Sequence, residues 1–599
     1  MTEAIKTVES HVYSLGELFS QKYTVAFYQR EYTWQRSHVE DLINDLTTEF
    51  LKNWKPSDTY DAVQMYDPYY MGEIVISVKS GKPNAVIDGQ QRITTLTLLL
   101  IYLLRTYGDM ADFPEDDVRK LIYSNSYGRK LLNLDIEERT ECMLALFNGE
   151  EYTVKSSDPP SVNNIIARYN DFAECWNEKI NERNVISFVY WLMGRVVFSK
   201  VWTNDDEFAY VIFETMNDRG LSLTQVEMLR SYLLANINPP QRDQSKLTFD
   251  NVVKRLAGIK LSSKTKVEQE FFRIFLRGHY AESMSQAKDG KSDFQRIGKE
   301  FHRWVRENAK HLKLETSADF AGFIEKIDFY ARTYEYINRL IENRDTKNFL
   351  YLIVNHDYGI TLQMALLLSA IAYGDSQEII QKKITLLSKH LTKIVTWRVW
   401  CHMQISQSSL EAPIYDLCKA IRGKSISEIE ALLQEKTDFI PPLVGTPTLN
   451  QQNRHRMSVL LSLITEIVAV GEGAPNYMHN KKDLEIEHIW ADHYEQHMDE
   501  CETENEFVSL RNNIGDLLVL PKSFNASYGD MTYEEKSVHY IQQNVLAQSL
   551  CKLKYEHNPG FKNFITVSGL PMKAYDHFGK EAIIERAELY RQILLYHWR

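Results

Sequence analysis

Cysteine is scarce and scattered. The 599 residues hold six, Cys142, Cys175, Cys401, Cys418, Cys501 and Cys551, with no CxxC pair. That excludes a zinc ribbon and a disulfide framework and predicts reduced, mostly buried thiols. Long apolar runs are missing too: the longest, Ile93 to Leu104 and Leu362 to Tyr373, fall short of the roughly 18 to 20 residues that cross a bilayer. No membrane association is expected. The N-terminal stretch lacks a basic start, an apolar core and a small-residue cleavage site, so the expected address is the cytoplasm. There is no excess of positive charge, since 69 Lys and Arg face 81 Asp and Glu for a net −12. The chain as a whole does not advertise nucleic-acid binding, although a local basic groove is compatible with that balance. Repeats and low-complexity tracts are absent, and 44% hydrophobic residues supply sizeable cores, which excludes collagen-like and disordered classes.

What is present reads as an α+β, mostly helical protein of roughly two to four domains at about 150 residues each. Residues 1–240 mix β-branched stretches with helices and end in the breaker-rich run Asn236 to Pro240. Residues 241–440 carry apolar side chains at three and four spacing, a helical pattern throughout. Residues 441–599 open with a loop or linker, Pro441 to Asn453.

Two polar constellations interrupt the first region. Tyr23 to Phe27 alternates like a strand and leads into Tyr28, Gln29, Arg30, Glu31, Tyr32, Thr33 and Trp34. A helix capped by Ser37 and Glu40 follows, with Leu42, Ile43, Leu46 and Phe50 on its apolar face. Met71 to Val78 reads as a strand, Ser80 to Pro83 as a turn and Ala85 to Ile87 as a second strand. The chain then runs Asp88, Gly89, Gln90, Gln91, Arg92 straight into an apolar helix. A strand, a glycine turn and a helix start form an anion site, because free N–H groups and the helix dipole both favour phosphate. Asp88 suits a metal or water and Arg92 a phosphate clamp; the same residues also suit a plain helix cap. A second polar turn, Phe213 to Gly220 with Asn217 and Arg219, precedes a helix beginning near Thr224.

YQREYTW, MGEIVI, IDGQQRITTL and FETMNDRGLSL, in that order over about 200 residues, resemble the ParB-like N-terminal domain of the GmrSD-type modification-dependent restriction endonucleases. The resemblance implies an α/β module that binds and hydrolyses a nucleoside triphosphate (GTP, ATP or CTP), gates a nuclease and takes part in sensing modified DNA. It assigns the nucleotide site to Asp88, Gly89, Gln90, Gln91 and Arg92, with Gln29, Arg30, Asn217 and Arg219 as neighbours. The chain departs from the family at Ala26 and Phe27, where proline is usual, and at Glu227, where aspartate is usual. No P-loop competes: Asp289 to Ser292 has Ser285 where the first glycine is needed.

In the third region Leu484 to Ile489 alternates like a strand and sets Glu487 beside His488; Asn512 to Leu520 comes next, then Asn525, nine residues after Asp516. This pattern, extending to Lys536, resembles the ββα-metal nuclease motif of the HNH type and the C-terminal domain of the same family. Phosphodiester hydrolysis needs a base near neutral pKa and a hard cation for the developing charge. The resemblance implies His488 as general base, Glu487 and Asn525 as ligands of Mg²⁺ or Mn²⁺, Asn513 and Asp516 as residues orienting the histidine loop, and Lys536 as a phosphate contact. Asp516 stands where asparagine is usual and Ala491 where proline is usual.

Between these regions Arg296, Lys299, Arg303, Arg306, Lys310 and Lys313 recur at helical spacing, a stripe that reads either as a DNA track or as a solvated face. Tyr60, Tyr66, Tyr69 and Tyr70 read as a packed loop or a stacking surface for an extruded base. His493 and His497, four apart among acids, read as a solvated acidic helix face. The expected function is a nucleotide-regulated, metal-dependent endonuclease acting on modified double-stranded DNA, with a homo-oligomer compatible. The rival is an NTP-driven binding switch whose nuclease-like domain does not cleave.

Overall fold

β-branched stretches separated by glycine and asparagine turns build a mixed sheet in the first part of the chain. In the computed structural model, residues 8–25, 31–78, 84–126, 129–155, 158–204, 224–259, 266–284, 292–435, 442–477 and 484–599 are described. They divide into two compact units, Met1–Ala235 and Asn236–Arg599. None of the described helices is long and apolar enough to cross a membrane.

In the first unit, β1 (Val8–Ser14) and helix α1 (Leu15–Phe19) lead to β2 (Tyr23–Val25) and α2 (Arg36–Asn53). Then come β3 (Tyr69–Ser77), β4 (Asn84–Asp88), α3 (Gln90–Tyr107), α4 (Glu115–Ile122), the small pair β5 (Tyr123–Ser126) and β6 (Arg129–Leu132), and β7 (Leu134–Asp135). Helices α5 (Glu137–Asn148), α6 (Pro160–Cys175) and α7 (Val185–Arg195), strand β8 (Val196–Thr203) and helix α8 (Gln225–Ala235) complete it. The sheet order is β1-β8-β3-β4-β2-β7. β3 runs parallel to β8 and antiparallel to β4, and β4 runs parallel to β2. Helix α3 is apolar nearly all round and is accordingly buried from Ile93 to Leu104 on most of its faces. α2 starts two residues earlier than its sequence predicts: the Gln35 N–H donates to His38 Nδ1 at 3.0 Å, while Glu40 accepts from Arg36 at 2.9 Å instead of closing a box with Ser37. Its predicted face, Leu42, Ile43, Leu46 and Phe50, is buried.

The second unit is helical from Pro239 to Glu435. Residues 442–453 join this helical stretch to the C-terminal elements without being a free linker. Leu443 and Leu449 are buried, Trp400 donates its indole N–H to Gly445 O at 3.1 Å, and Leu449 N–H reaches Asn512 O at 2.7 Å. Next come an apolar helix (Arg454–Gly471), β9 (Leu484–His488), β10 (Leu517–Pro521) and a run of short helices ending in Lys580–His597. β9 and β10 pair antiparallel with His488 opposite Leu517 and Glu487 opposite Leu518.

Candidate functional site

The polar turn of the first unit sits where β4 meets α3. Gly89 has φ +97 and a Cβ there would meet Ile74 Cγ1 at 2.9 Å, so the turn requires glycine. Gly89, the N-cap of α3, has no side chain with which to bond the N–H groups of the first turn. Gln90 is buried, and Gln91 is a clamp: its Nε2 donates to Glu31 O and its Oε1 accepts from Thr33 N–H, both at 2.9 Å. The second half of the tyrosine-rich motif is thereby laid across the helix start. Tyr32, fully buried, bonds Thr95 Oγ1 at 2.8 Å, Asn164 donates to Tyr32 O, and Arg168 donates to Trp34 O. Arg92 is turned back into the scaffold, with Nη1 donating to Met71 O at 3.0 Å and Nη2 lying 3.4 Å from Asp88 Oδ2. Its guanidinium therefore ties β3 to the turn and is not aimed outward as a phosphate clamp. Gln29, Arg30, Asn217 and Arg219 lie outside the described residues. Glu227 caps α8: its carboxylate accepts from Thr224 N–H at 2.8 Å and its own N–H donates to Thr224 Oγ1.

The polar cluster of the second unit is built on the β9–β10 pair. Asp516, fully buried, holds the chain just past His488 twice: its backbone oxygen accepts from Ile489 N–H at 2.8 Å and its Oδ1 from Trp490 N–H at 3.0 Å. Burial pushes its carboxyl well above the usual range, with nearby Glu487 adding to the effect. Asn513 accepts from Gly515 N–H at 2.9 Å and fixes the turn before β10. Gly515 is required, because a Cβ would collide with the backbone of Ile583 in Lys580–His597. Lys536, on Tyr533–Tyr540, is fully buried and donates to Glu487 Oε1 and to His488 O, each at 2.8 Å. It lies behind the strand, neutralising a buried carboxylate, and has no exposed face for phosphate.

Three atoms of the cluster are left over: Asp516 Oδ2, His488 Nε2 and Asn525 Oδ1 are buried without a hydrogen-bond partner. The Asn525 amide donates to Ile486 O at 3.3 Å, which fixes its oxygen. Asn512 donates its amide to Val508 O at 2.9 Å and opposes the fall of the imidazole pKa. Burial, assisted by Arg511, pushes the imidazole down to about 3, well below the near-neutral value expected of a general base, and it is neutral at physiological pH.

The remaining expectations meet the structure unevenly. The basic stripe is no continuous helical track: the helix Asp293–Glu307 breaks at Glu300 (φ −152, ψ 55), Arg296 pairs with Glu307, Arg303 with Glu300 at 3.1 Å, and Lys310 and Lys313 lie past the helix end. Lys299 and Arg306 lie on either side of that break. Tyr66 is buried and bonded to Asp58 at 2.6 Å, and Tyr69 reaches Asp45. Tyr60 lines an open cavity of about 830 Å³ with Tyr190 and Arg195. His493 and His497 flank a short 3₁₀ turn, not an α-helix, and His497 stacks on Trp490 at 4.0 Å. Among the described residues no group of three His, Cys, Asp or Glu is placed to hold a metal. Sequence reasoning missed Arg139, in a helix that it did not single out.

No curated protein matches the chain. Two family models match it: the N-terminal domain of the GmrSD restriction endonuclease over residues 15–234 and the C-terminal domain of GmrSD restriction endonucleases over residues 443–593. The first contains the β4–α3 turn and the second the β9–β10 cluster, in the family's order and over well more than half of the sequence. The chain belongs to the GmrSD restriction endonucleases.

Proposed function

We propose that the chain is a nucleotide-regulated, metal-dependent endonuclease of the HNH type that cleaves modified foreign DNA in the cytoplasm. Residues 1–240 form the ParB-like nucleotide and sensing module, and residues 441–599 the nuclease. The observation that carries this reading is the neutral His488 with an unpartnered Nε2 beside an Asn525 whose oxygen also lacks a partner. Nε2 accepts a proton from water as the water oxygen bonds to phosphorus; the bond from phosphorus to the leaving oxygen then breaks, and that oxygen takes a proton from solvent. Asp516 holds the strand exit that aims the imidazole.

The donor set suits a hard divalent cation: the orphaned Asn525 oxygen and the Glu487 carboxylate, of which Lys536 binds Oε1, offer oxygen and no sulfur. Mg²⁺ or Mn²⁺ held there would stabilise the charge developing on phosphate. In the N-terminal module the uncapped start of α3 would receive the phosphates of GTP, ATP or CTP.

The Glu487–Lys536 pair favours one rival reading, a switch that hydrolyses nucleotide and grips DNA without cutting it, because the pair already neutralises the carboxylate. Incubating the protein with plain and modified plasmid, Mg²⁺ and each nucleotide decides between them. Nicking that requires Mg²⁺ and His488 supports the endonuclease; nucleotide hydrolysis without nicking on every modified substrate supports the switch.

A further inference from the structure

We propose that Arg139 is the phosphate-binding guanidinium of the nucleotide site, with Glu31 as the carboxylate that holds its place when no nucleotide is bound. The inference rests on reading the β4–α3 turn as that site.

Arg139 lies in the first turn of α5 and is 5% exposed. Its Nε and Nη1 are buried with no hydrogen-bond partner. Its Nη2 faces Glu31 Oε2 at 3.6 Å, beyond hydrogen-bond length, and that oxygen is itself buried without a partner. Burial pulls the guanidinium pKa below its ordinary value, and the Glu31 charge opposes the pull. A desolvated cation with donors to spare is unfavourable unless an acceptor arrives.

The place of this pair decides what that acceptor is. Glu31 opens the segment that Gln91 clamps onto the first turn of α3, so Arg139 stands across Glu31 from the uncapped helix start. Among the described residues, Arg92 is committed to Met71 O and Asp88, and Arg168 to Asp171 and Trp34 O. Glu31 keeps 38% of its side chain exposed, so it can swing to water. A phosphate oxygen entering beside the α3 N–H groups then takes its position against Arg139 and satisfies the spare donors. The anion replaces one negative charge with another, and the burial of Arg139 is compensated only in the bound state.

The two residues therefore act in opposite directions. Calorimetric titration of the full-length protein with ATP, GTP, CTP and inorganic triphosphate should show Arg139→Met weakening binding by about tenfold or more, the usual effect of losing a charged hydrogen bond. Arg139→Lys should restore part of the affinity. Glu31→Gln should tighten binding a few-fold, because the competing charge is gone. If the parent binds none of these ligands, the nucleotide reading itself falls. If the parent binds and Arg139→Met and Arg139→Lys bind equally well, Arg139 is structural and the inference is overturned. Should Arg139→Met fail to fold, unchanged or weaker binding by Glu31→Gln overturns it independently.

Discussion

The two polar sites use their motif residues in opposite ways. At the β4–α3 turn the side chains that stand out in the sequence are structural: Gln91 clamps Glu31 and Thr33, and Arg92 ties Met71 to Asp88. What remains to meet a ligand is backbone, the uncapped start of an 18-residue helix. At the β9–β10 pair the labour is divided among side chains. Glu487, Asp516 and Lys536 hold the hairpin, while His488 and Asn525 each keep one atom without a partner. Membership of a motif therefore does not tell a strut from a reagent. Unmet hydrogen bonds alone do not either, since Asp516 holds the hairpin and still keeps Oδ2 without a partner, so the roles are separated by substitutions made in each of the two units.

The largest effect belongs to the one side chain whose reacting atom is free. His488→Ala should lower nicking by about 10² to 10⁴ while nucleotide hydrolysis persists, since the base is removed from one unit only. Parental nicking by the variant would remove His488 from the mechanism. Next comes a strut. Lys536→Met strands the buried Glu487 carboxylate and should cost about 3 to 5 kcal/mol in denaturant unfolding of the second unit, most of it recovered by adding Glu487→Leu. A variant as stable as the parent would show that the ion pair carries no weight.

Acid should separate the units by stability. His279, His390, His488 and His597 are half-buried in the second unit, and desolvation lowers them to about 3, 4, 3 and 4. The first unit has only His11 and His38. A histidine held neutral in the fold stabilises it fully above its unfolded pKa of about 6.5, and that stability drains as pH falls toward the folded value. Glu466, raised to about 7 by burial, works in the opposite sense and offsets about one histidine. From pH 7 to pH 5 the second unit should lose about 5 kcal/mol net. Calorimetry should show its transition moving down while that of the first unit holds; equal shifts would contradict the assignment.

Much of this was legible in the sequence, for reasons that mark where legibility stops. The strand readings at Met71–Val78, Ala85–Ile87 and Leu484–Ile489 fall within two residues of β3, β4 and β9, and an apolar run after Gly89 located α3, because strand and helix patterns are local properties. The Ser37 cap was misplaced because Gln35, a poor cap by type, is served by His38. The basic stripe failed as a helix because spacing cannot register a break at Glu300. In the second unit residue types singled out the β9–β10 hairpin but not the fate of each side chain. Whether Lys536 faces solvent or Glu487 depends on how Tyr533–Tyr540 packs across 49 residues of intervening chain. Arg139 was invisible for the same reason: its neighbours come from Glu31, over a hundred residues away in sequence.

The smallest effects give the finest comparison, because each unit carries the same cap. Thr224 and Glu227 close a capping box on α8, and Thr532 and Glu535 close one on Tyr533–Tyr540. Replacing either threonine by alanine removes one hydrogen-bonded N–H partner at a helix start and should cost about 1 kcal/mol, a shift of roughly 2 to 4 °C in units of this size. The functional consequences should differ. Thr224 comes directly after the stretch that contains Asn217 and Arg219, so Thr224→Ala should weaken nucleotide binding and leave nicking at saturating nucleotide unchanged. Thr532 starts the helix that carries Lys536 beneath Glu487 and His488 O, so Thr532→Ala should slow nicking and leave nucleotide binding unchanged. Measuring both activities on both variants makes a crossed test: if the two substitutions lower the same activity, the division of labour between the units is wrong, whatever their cost in stability.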